Sequence, residues 1–516
     1  MKAFRTVIGL LVFLSLGWLT GCQSPASSSN PDFSEQFPLI YQFYQNDALE
    51  NTGTLKLFSS NEIKNSPWGI QFNLLPPHVD KYPSDFHTDT LLDDLSVLLD
   101  RVTALGVKWA RVSVNWSTIE DRHGNYHWAY LDSLIAGLSK AGIEPYVCLN
   151  GGHKTYTDEL PPTVSELGMQ SWLSFVKLMA DRYANKVDYW EIWNEPNYPS
   201  FWKPEPDAEK YVELVKETVF TIREYDQDAV ILGGSLARMD LPYAQKIFGA
   251  GIGEYIDVLT VHPYNAIPTG SVRKIGYPVK TPDYYLPSSH QYKDFYQLLE
   301  KYHSDIEIWQ AECGYPSAQN SHGWTGTGPW GENIQAKWLL RRMIADVSQK
   351  VNVSAYFSMW EYKLNPDERT TNRKGLLKLE DMAPKQAFDT YRNLIALFKS
   401  DEIDVRETDS HFQINRTASF PGIWEENIQS WNLTVEGNYF FCYWLPWRMA
   451  EFVNPAETDL KLKLPSMKDP VLVDLLTGYV YNIENMNLDG DFKVLQSLPL
   501  TDYPLVVTER SSIIIQ

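Results

Sequence analysis

Tyr189-Trp190-Glu191-Ile192-Trp193-Asn194-Glu195-Pro196-Asn197 is the stretch on which the fold turns. Its first half mixes aromatic and β-branched residues in the manner of a strand. Its second half meets a proline that cannot donate to a ladder, so Asn194 and Glu195 are expected where the strand gives out. A carboxylate at the tip of a buried strand, flanked by a carboxamide and tryptophans, is an unusual construction. Apolar surroundings make a carboxyl hold its proton more readily, which suits a group that must donate one near neutral pH.

Reading outward, this strand is the fourth of eight. The others are expected at Trp68–Leu75, Lys108–Val114, Glu144–Leu149, Ala229–Gly233, Tyr255–Val261, Glu307–Glu312 and Val353–Trp360. Between and after them lie amphipathic helical patterns, at Leu91–Leu105, Tyr130–Ala141, Val164–Ala184, Ala208–Tyr225, Leu241–Phe248, Gln291–His303, Glu332–Val347 and Lys385–Lys399. Eight strand–helix units over about 330 residues predict an α/β fold, a (β/α)8 TIM barrel. A doubly wound open sheet is the competing architecture, but no G-x-G-x-x-G stands at the immediate end of a strand, where a phosphate-binding turn would need it. After Ser400 helical periodicity stops. Short strand patterns at Phe412–Ala418, Gln429–Trp444, Asp459–Leu464, Val471–Ile483, Phe492–Val494 and Leu505–Glu509 predict a small C-terminal antiparallel β-sandwich. Within it Phe440–Trp444 reads as a buried strand. The barrel domain is drawn over 37–399 and the sandwich over 400–516. Residues 37–65 are ambiguous enough to lend a strand or two to the later domain.

The 516-residue chain carries a formal charge of −20. Such a surface repels phosphate backbones, so no nucleic-acid partner is expected. Aromatic residues reach 14%, with 18 Trp. This suits cores and sugar-ring faces alike. At the N-terminus Lys2 and Arg5 precede an apolar run, Val7 to Leu19, that is too short to span a membrane. Leu19-Thr20-Gly21-Cys22 then resembles a bacterial lipobox. The resemblance implies cleavage before Cys22 and lipidation of its thiol. Removing residues 1–21 takes away two positive charges and no negative ones, lowering −20 to −22. Residues 22–36, rich in Ser and Pro, read as a tether. The expected product is an exported lipoprotein, periplasmic or at the cell surface, touching the membrane only through its anchor. Cys148, Cys313 and Cys442 have no spacing that suggests zinc or a disulfide framework.

In a barrel of this kind the chemistry stands at the C-terminal ends of the strands. Those ends offer Asn73, Arg111 with Asn115-Trp116, Asn150-Gly-Gly-His153, Asn194-Glu195, His262-Pro-Tyr264, Glu312 and Trp360-Glu361. Carboxylates on strands four and seven are what retaining glycoside hydrolysis needs, one as acid then base and the other as nucleophile, about 5–5.5 Å apart. Glu195, between tryptophans, suits the acid. Glu312, within reach of Arg111 and Tyr264, suits the nucleophile.

Trp193-Asn-Glu-Pro196, with Glu312 in Trp309-Gln-Ala-Glu-Cys-Gly314, resembles glycoside hydrolase clan A, above all family 39 and its family 5-like relatives. Trp109-Ala-Arg111, His262-Pro-Tyr264, Gly375-Leu-Leu377 and Pro384-Lys385 extend the likeness over the whole barrel. The resemblance implies that Glu195 is the acid/base and Glu312 the nucleophile, that Asn194 bonds a sugar 2-hydroxyl, and that Arg111 and Tyr264 hold the nucleophile. It implies a retaining O-glycosidase acting on an oligosaccharide or polysaccharide, with no cofactor. Further sugar contacts are expected from His262, Trp360, Asn150 and His153, with barrel packing the other reading of His262 and core the other reading of Trp360. No metal is expected, because His262 has no second ligand at metal spacing. Glu191 is read as a buried structural carboxylate and Glu361 as a rim or supporting one. Trp324 and Trp330 are candidates for outer subsites, and the insert between Tyr264 and Gln291 hints at a walled pocket. The substrate is expected to be a neutral β-linked glycan. Exo-action on β-xylosides or α-L-arabinofuranosides and endo-action on a glucan both stay open. A non-catalytic glycan-binding lipoprotein is the rival from another class, and the presence of both carboxylates speaks against it.

Overall fold

The computed structural model describes residues 49–73, 88–122, 124–158, 160–264, 291–302, 305–318, 321, 330–363, 371–446, 449–463 and 467–516, with only the backbone for 88–93 and 291. Cys22 and the tether, Trp324, and the whole insert 265–290 after Tyr264 lie outside the described residues.

The expected barrel is present. Strands β2 (Trp68–Asn73), β3 (Trp109–Asn115), β4 (Glu144–Asn150), β5 (Tyr189–Ile192), β6 (Val230–Ala237), β7 (Val258–His262), β8 (Glu307–Cys313) and β9 (Val353–Tyr356) form a closed barrel in sequence order. All neighbours run parallel, and β2 pairs with both β3 and β9 to complete the ring. Such strands are walled on the outside by helices and filled on the inside by side chains, which explains their near-continuous burial. Among the described residues the ring of helices includes α1 (Thr88–Leu105), α2 (Ala129–Lys140), α3 (Glu166–Tyr183), α4 (Ala208–Arg223), α5 (Leu241–Gly249), α6 (Gln291–Tyr302), α7 (Glu332–Val347) and α8 (Gln386–Leu397). Several start on a side-chain cap, as where Ser165 accepts from Gly168 N and Asp207 from Lys210 N.

The C-terminal region is a sandwich of a seven-stranded and a four-stranded antiparallel sheet. Two of its expected strands are hairpins. Gln429–Trp444 divides into Gln429–Val435 and Asn438–Trp444, because Glu436 (φ +50°) and Gly437 (φ +80°) form a left-handed two-residue turn. Val471–Ile483 likewise divides into Pro470–Asp474 and Tyr479–Ile483. The ambiguous stretch before the barrel lends a strand to this region. Strand β1 (Leu49–Thr54) pairs with Tyr479–Ile483 in the larger sheet, so the barrel proper begins at Trp68. The sandwich is fastened to α7 by Lys337 Nζ, 3.0 Å from Asp502 with both groups buried. Phe440–Trp444 is buried as expected.

Candidate active site

The site rises from an aromatic plug inside the barrel. Tyr146, Leu232, Trp309, Ala311 and Val353 fill the interior with Trp109 and Tyr189 packed against them, and the rings of Trp109 and Trp309 lie 4.8 Å apart. Two residues further along β3 and β5 the same inward face carries Arg111 and Glu191, as strand periodicity requires. Arg111 Nε donates to Glu191 at 2.6 Å, and the other Glu191 oxygen accepts from the Thr260 hydroxyl at 2.7 Å. Both charged groups are fully buried. Burial alone would raise the Glu191 carboxyl, but Arg111, His262 and Thr260 hold it below the usual range. Burial likewise opposes the Arg111 charge, yet the groups around it, Glu191 and Glu312 among them, hold its pKa well above the ordinary value. Removing one partner of such a pair would leave an uncompensated buried charge, so Glu191 belongs to the scaffold, as its sequence position suggested.

Above this layer three strand ends abandon strict alternation, and each break aims a polar side chain at the barrel axis. On β8 the register shifts between Gln310 and Cys313. Gln310 faces outward to Ser354 (3.2 Å), Ala311 faces the interior plug, and Glu312 faces inward as well. On β6 a shift between Gly233 and Leu236 turns Ser235 (φ +42°) toward Arg111. At the end of β5, Trp193 (φ +67°) and Glu195 (φ +46°) both take the left-handed conformation. Bulges and strained backbone of this kind re-aim side chains next to functional sites. The two tips support each other, since Glu195 N donates to Ser235 O at 2.9 Å. Beside Glu312, Gly314 makes room for the backbone, because a Cβ there would come within 1.7 Å of the Phe357 carbonyl.

Glu312 is held at both oxygens, by Arg111 Nη1 and by the Tyr264 hydroxyl, each at 3.0 Å. Burial first, and then the Glu312 charge, push the Tyr264 phenol well above its ordinary pKa, so it stays a donor. Glu195 accepts from the His262 side, with Oε1 3.0 Å from Nδ1. Arg111 Nη2 donates to Ser235 Oγ at 3.2 Å, and the same Oγ lies 3.2 Å from His262 Nε2. In the tautomer in which Nε2 accepts from Ser235, the ring proton sits on Nδ1 and points at Glu195. Arg111 Nη2 also donates to Asn194 Oδ1 at 2.9 Å, so the group Asn194 has for a sugar hydroxyl is its amide NH2. One guanidinium thus orients both carboxylate arms. One oxygen of each carboxylate and a His262 nitrogen lie within 4.8 Å of one another. These donor types could ligate a cation. Here both His262 nitrogens and both Glu312 oxygens are already engaged by protein groups, which is the arrangement of a hydrogen-bonded acid pair.

Several expected contacts are corrected. Arg111 holds Glu312 as expected, and it does so from a fully buried position beneath the site. His262 is fully buried in the barrel under Glu195, its Nδ1 3.0 Å from Glu195 Oε1, so it positions that carboxylate. His153 is buried in the wall, its Nε2 3.0 Å from Glu120 O and its ring packed on Trp116 and Tyr156. Asn150 donates its amide to Ser113 Oγ at 3.2 Å, tying two strand tips together and leaving only its Oδ1 for a ligand. Trp360 is 1% exposed and packs edge-on against Phe72 at 5.4 Å, so it offers no sugar platform. The reason is that regular strand β9 ends at Tyr356, and residues 357–359 continue irregularly beside β2, with Met359 N on Gln71 O, so that Trp360 packs into the wall. Glu361 is a buried partner of Lys385 (3.0 Å) and of Arg373. Trp330 is partly buried beside Trp338, 6.4 Å between rings.

Sequence reasoning missed Gln71, Ser235 and Lys374. Gln71, which accepts from Arg111 Nη1 at 3.0 Å, was within its reach, being two residues before Asn73 on the same strand face. Lys374 carried no such signal. It is buried beside Tyr264 and Phe357, its Nζ 6.0 Å and 5.7 Å from the two ring centroids. Burial pulls its pKa down from 10.5 to about 8, against the opposing pull of Glu312, Cys313 and Glu195. A cation that is easier to deprotonate folded than unfolded favours the fold above about pH 10.5, and that contribution is lost as the pH falls through about 8. Lys374→Met should therefore be more stable than wild type at neutral pH, by on the order of 2 kcal/mol. The gap should close between about pH 8 and 10.5. Thermal unfolding of both proteins across that range is the check, and a gap independent of pH would refute it.

Comparison with known proteins agrees with this geometry. The profile of the glycosyl hydrolases of family 39 matches residues 97–435. A family 39 glycoside hydrolase from Bacteroides cellulosilyticus WH2 superposes with a TM-score of 0.62 at 17% identity, over 88% of this chain and 83% of that one. A monomeric beta-xylosidase from Caulobacter crescentus CB15 gives 0.55 at 14% identity, over 89% and 97%. A family 39 enzyme from Xanthomonas axonopodis pv. citri gives 0.55 at 14%, over 88% and 95%. A chloroplastic beta-glucosidase-like protein, SFR2, of Oryza sativa subsp. japonica is 29% identical over 114 residues, 19% of this chain. The chain spans only 15% of the length of that curated relative.

Proposed function

The chain belongs to glycosyl hydrolase family 39 and is a glycosidase acting on carbohydrate, and from that premise we propose that it cleaves neutral β-linked glycans with retention of anomeric configuration. Glu312 attacks the anomeric carbon while Glu195 gives its proton to the leaving oxygen. A glycosyl ester on Glu312 results. Glu195, now ionised, takes a proton from water, and that water displaces Glu312.

The observation that carries the reading is the spacing of the two carboxylates, with one oxygen of each within 4.8 Å. Retention needs groups about 5–5.5 Å apart, whereas inversion needs about 6.5–9.5 Å to admit a water between them. Fixed donors support the division of labour. Arg111 and Tyr264 orient Glu312 for attack, and His262 holds Glu195 on the other side. Retention should be visible by NMR of the first-formed product from an aryl glycoside. The initial anomer should match the substrate, and appearance of the opposite anomer would overturn the mechanism. A beta-xylosidase stands among the related structures, so aryl β-xylosides are the first substrates to test, followed by arabinofuranosides, glucosides and polysaccharides.

A further inference from the structure

The segment that leaves Glu195 presents two large aromatic rings to solvent. Tyr198 is 45% exposed and Phe201 43%, while Trp202 beside them is buried. Exposed rings on loose backbone would mean little, but this backbone is fixed. Tyr198 N bonds Glu195 O at 3.0 Å, and Phe201 N and Trp202 N both return to Tyr198 O, at 2.9 and 3.0 Å. Trp193 Nε1 donates to Phe201 O at 3.0 Å, and the Asn197 side chain both gives to and takes from Ala237 backbone at 3.0 and 2.8 Å. The two rings are neighbours tilted by 42°, 6.5 Å between centroids. Trp202 turns inward onto Trp193 at 5.7 Å and anchors the segment. Adjacent apolar rings held outward on rigid backbone are a preorganised binding surface.

Position decides what they bind. In a double displacement the acid stands on the leaving-group side of the anomeric carbon, and the nucleophile attacks from the opposite side. Chain that continues directly from Glu195, one turn away, therefore borders the leaving group. Given the retaining reading above, on which this rests, we propose that Tyr198 and Phe201 form a leaving-group subsite, stacking on the C–H face of the sugar whose glycosidic oxygen Glu195 protonates. The occupant is a pyranose ring of an oligosaccharide, since the aromatic faces match its apolar side.

The test compares two substrates carrying whichever sugar the wild-type enzyme cleaves in the aryl-glycoside screen: its methyl glycoside and its β-linked tetrasaccharide. Both leaving groups need the Glu195 proton, so only the ring contact differs between them. In the Tyr198→Ala/Phe201→Ala protein, kcat/KM for the tetrasaccharide should fall on the order of tenfold further than for the methyl glycoside. Tyr198→Trp and Phe201→Trp, which keep a ring, should preserve the wild-type ratio. If the double variant does not fold, Phe201→Leu alone serves for the same comparison. Equal losses on both substrates would mean that the rings act through Glu195, and would overturn the subsite while leaving the glycosidase reading intact. A wild-type protein that cleaves no glycoside at all would overturn both.

Discussion

Glu312→Ala is expected to lower kcat by roughly 10^4-fold or more, because it removes the atom that forms the covalent bond and not merely a contact. The loss should be repairable in a specific way. The small cavity left by the carboxylate faces the anomeric carbon, so azide or formate at high concentration can attack from the same side. With azide, the product should be a glycosyl azide of inverted configuration, because only one displacement then takes place. Arg111 and Tyr264, which each donate to Glu312 at 3.0 Å, remain to receive the anion. Product analysis by NMR with a dinitrophenyl glycoside makes the measurement. Wild-type turnover in Glu312→Ala would remove this residue from the mechanism.

Glu195→Ala should behave differently, and the difference is diagnostic. A leaving group that departs without help needs no acid, so the first step with a dinitrophenyl glycoside should stay close to wild type. Methyl glycosides and oligosaccharides should lose on the order of 10^2–10^4-fold, the usual worth of a placed general acid. The second step also loses its base, so the glycosyl-enzyme should accumulate and appear as a burst. Azide needs no deprotonation, and here it should yield a glycosyl azide of retained configuration. The two variants thus give opposite azide anomers if the roles are as proposed. Equal losses on activated and unactivated leaving groups would count against Glu195 as the acid.

The physical basis of the asymmetry is one buried cation. Arg111 reaches Glu312 with one nitrogen and the Asn194–Ser235–His262 side with another. A planar guanidinium with five fixed donors can do this, whereas an ammonium on a flexible stem cannot. Its charge is balanced beneath by Glu191, fully out of water. The polar layer rests on an aromatic plug that keeps solvent out of the barrel from below.

The barrel was legible from the chain because each strand and helix carries its own periodicity, and those periods are local. Glu332–Val347 was read to its true ends, and most other elements to within a few residues. The sandwich was less legible. Its strands are short, and Glu436-Gly437 is not a pair that announces a hairpin as Asn-Gly does. For the site, strand ends could be listed in sequence, and that placed Glu195 and Glu312 at the tips of β5 and β8. Side-chain direction could not be listed in the same way. Trp193 and Glu195 share parity with Glu191, yet Trp193 leaves the interior to pack on Trp172 and Trp202. Trp360 reads in sequence as a sugar platform, and three irregular residues after Tyr356 put it in the wall.

What the sequence alone determined is therefore the set of elements, their order, and the chemical types available at one end of the barrel. These follow from local hydrophobic periods and from proline and glycine, which act on their own neighbours. What only the tertiary structure decided is which of those groups meet. Glu312 faces inward because β8 bulges against its neighbour, and Ser235 because β6 does. Arg111 and His262 lie beneath the site because the barrel closes over them. A register shift is a property of two paired strands, and burial is a property of everything packed around a residue, so neither is written at any single position of the chain.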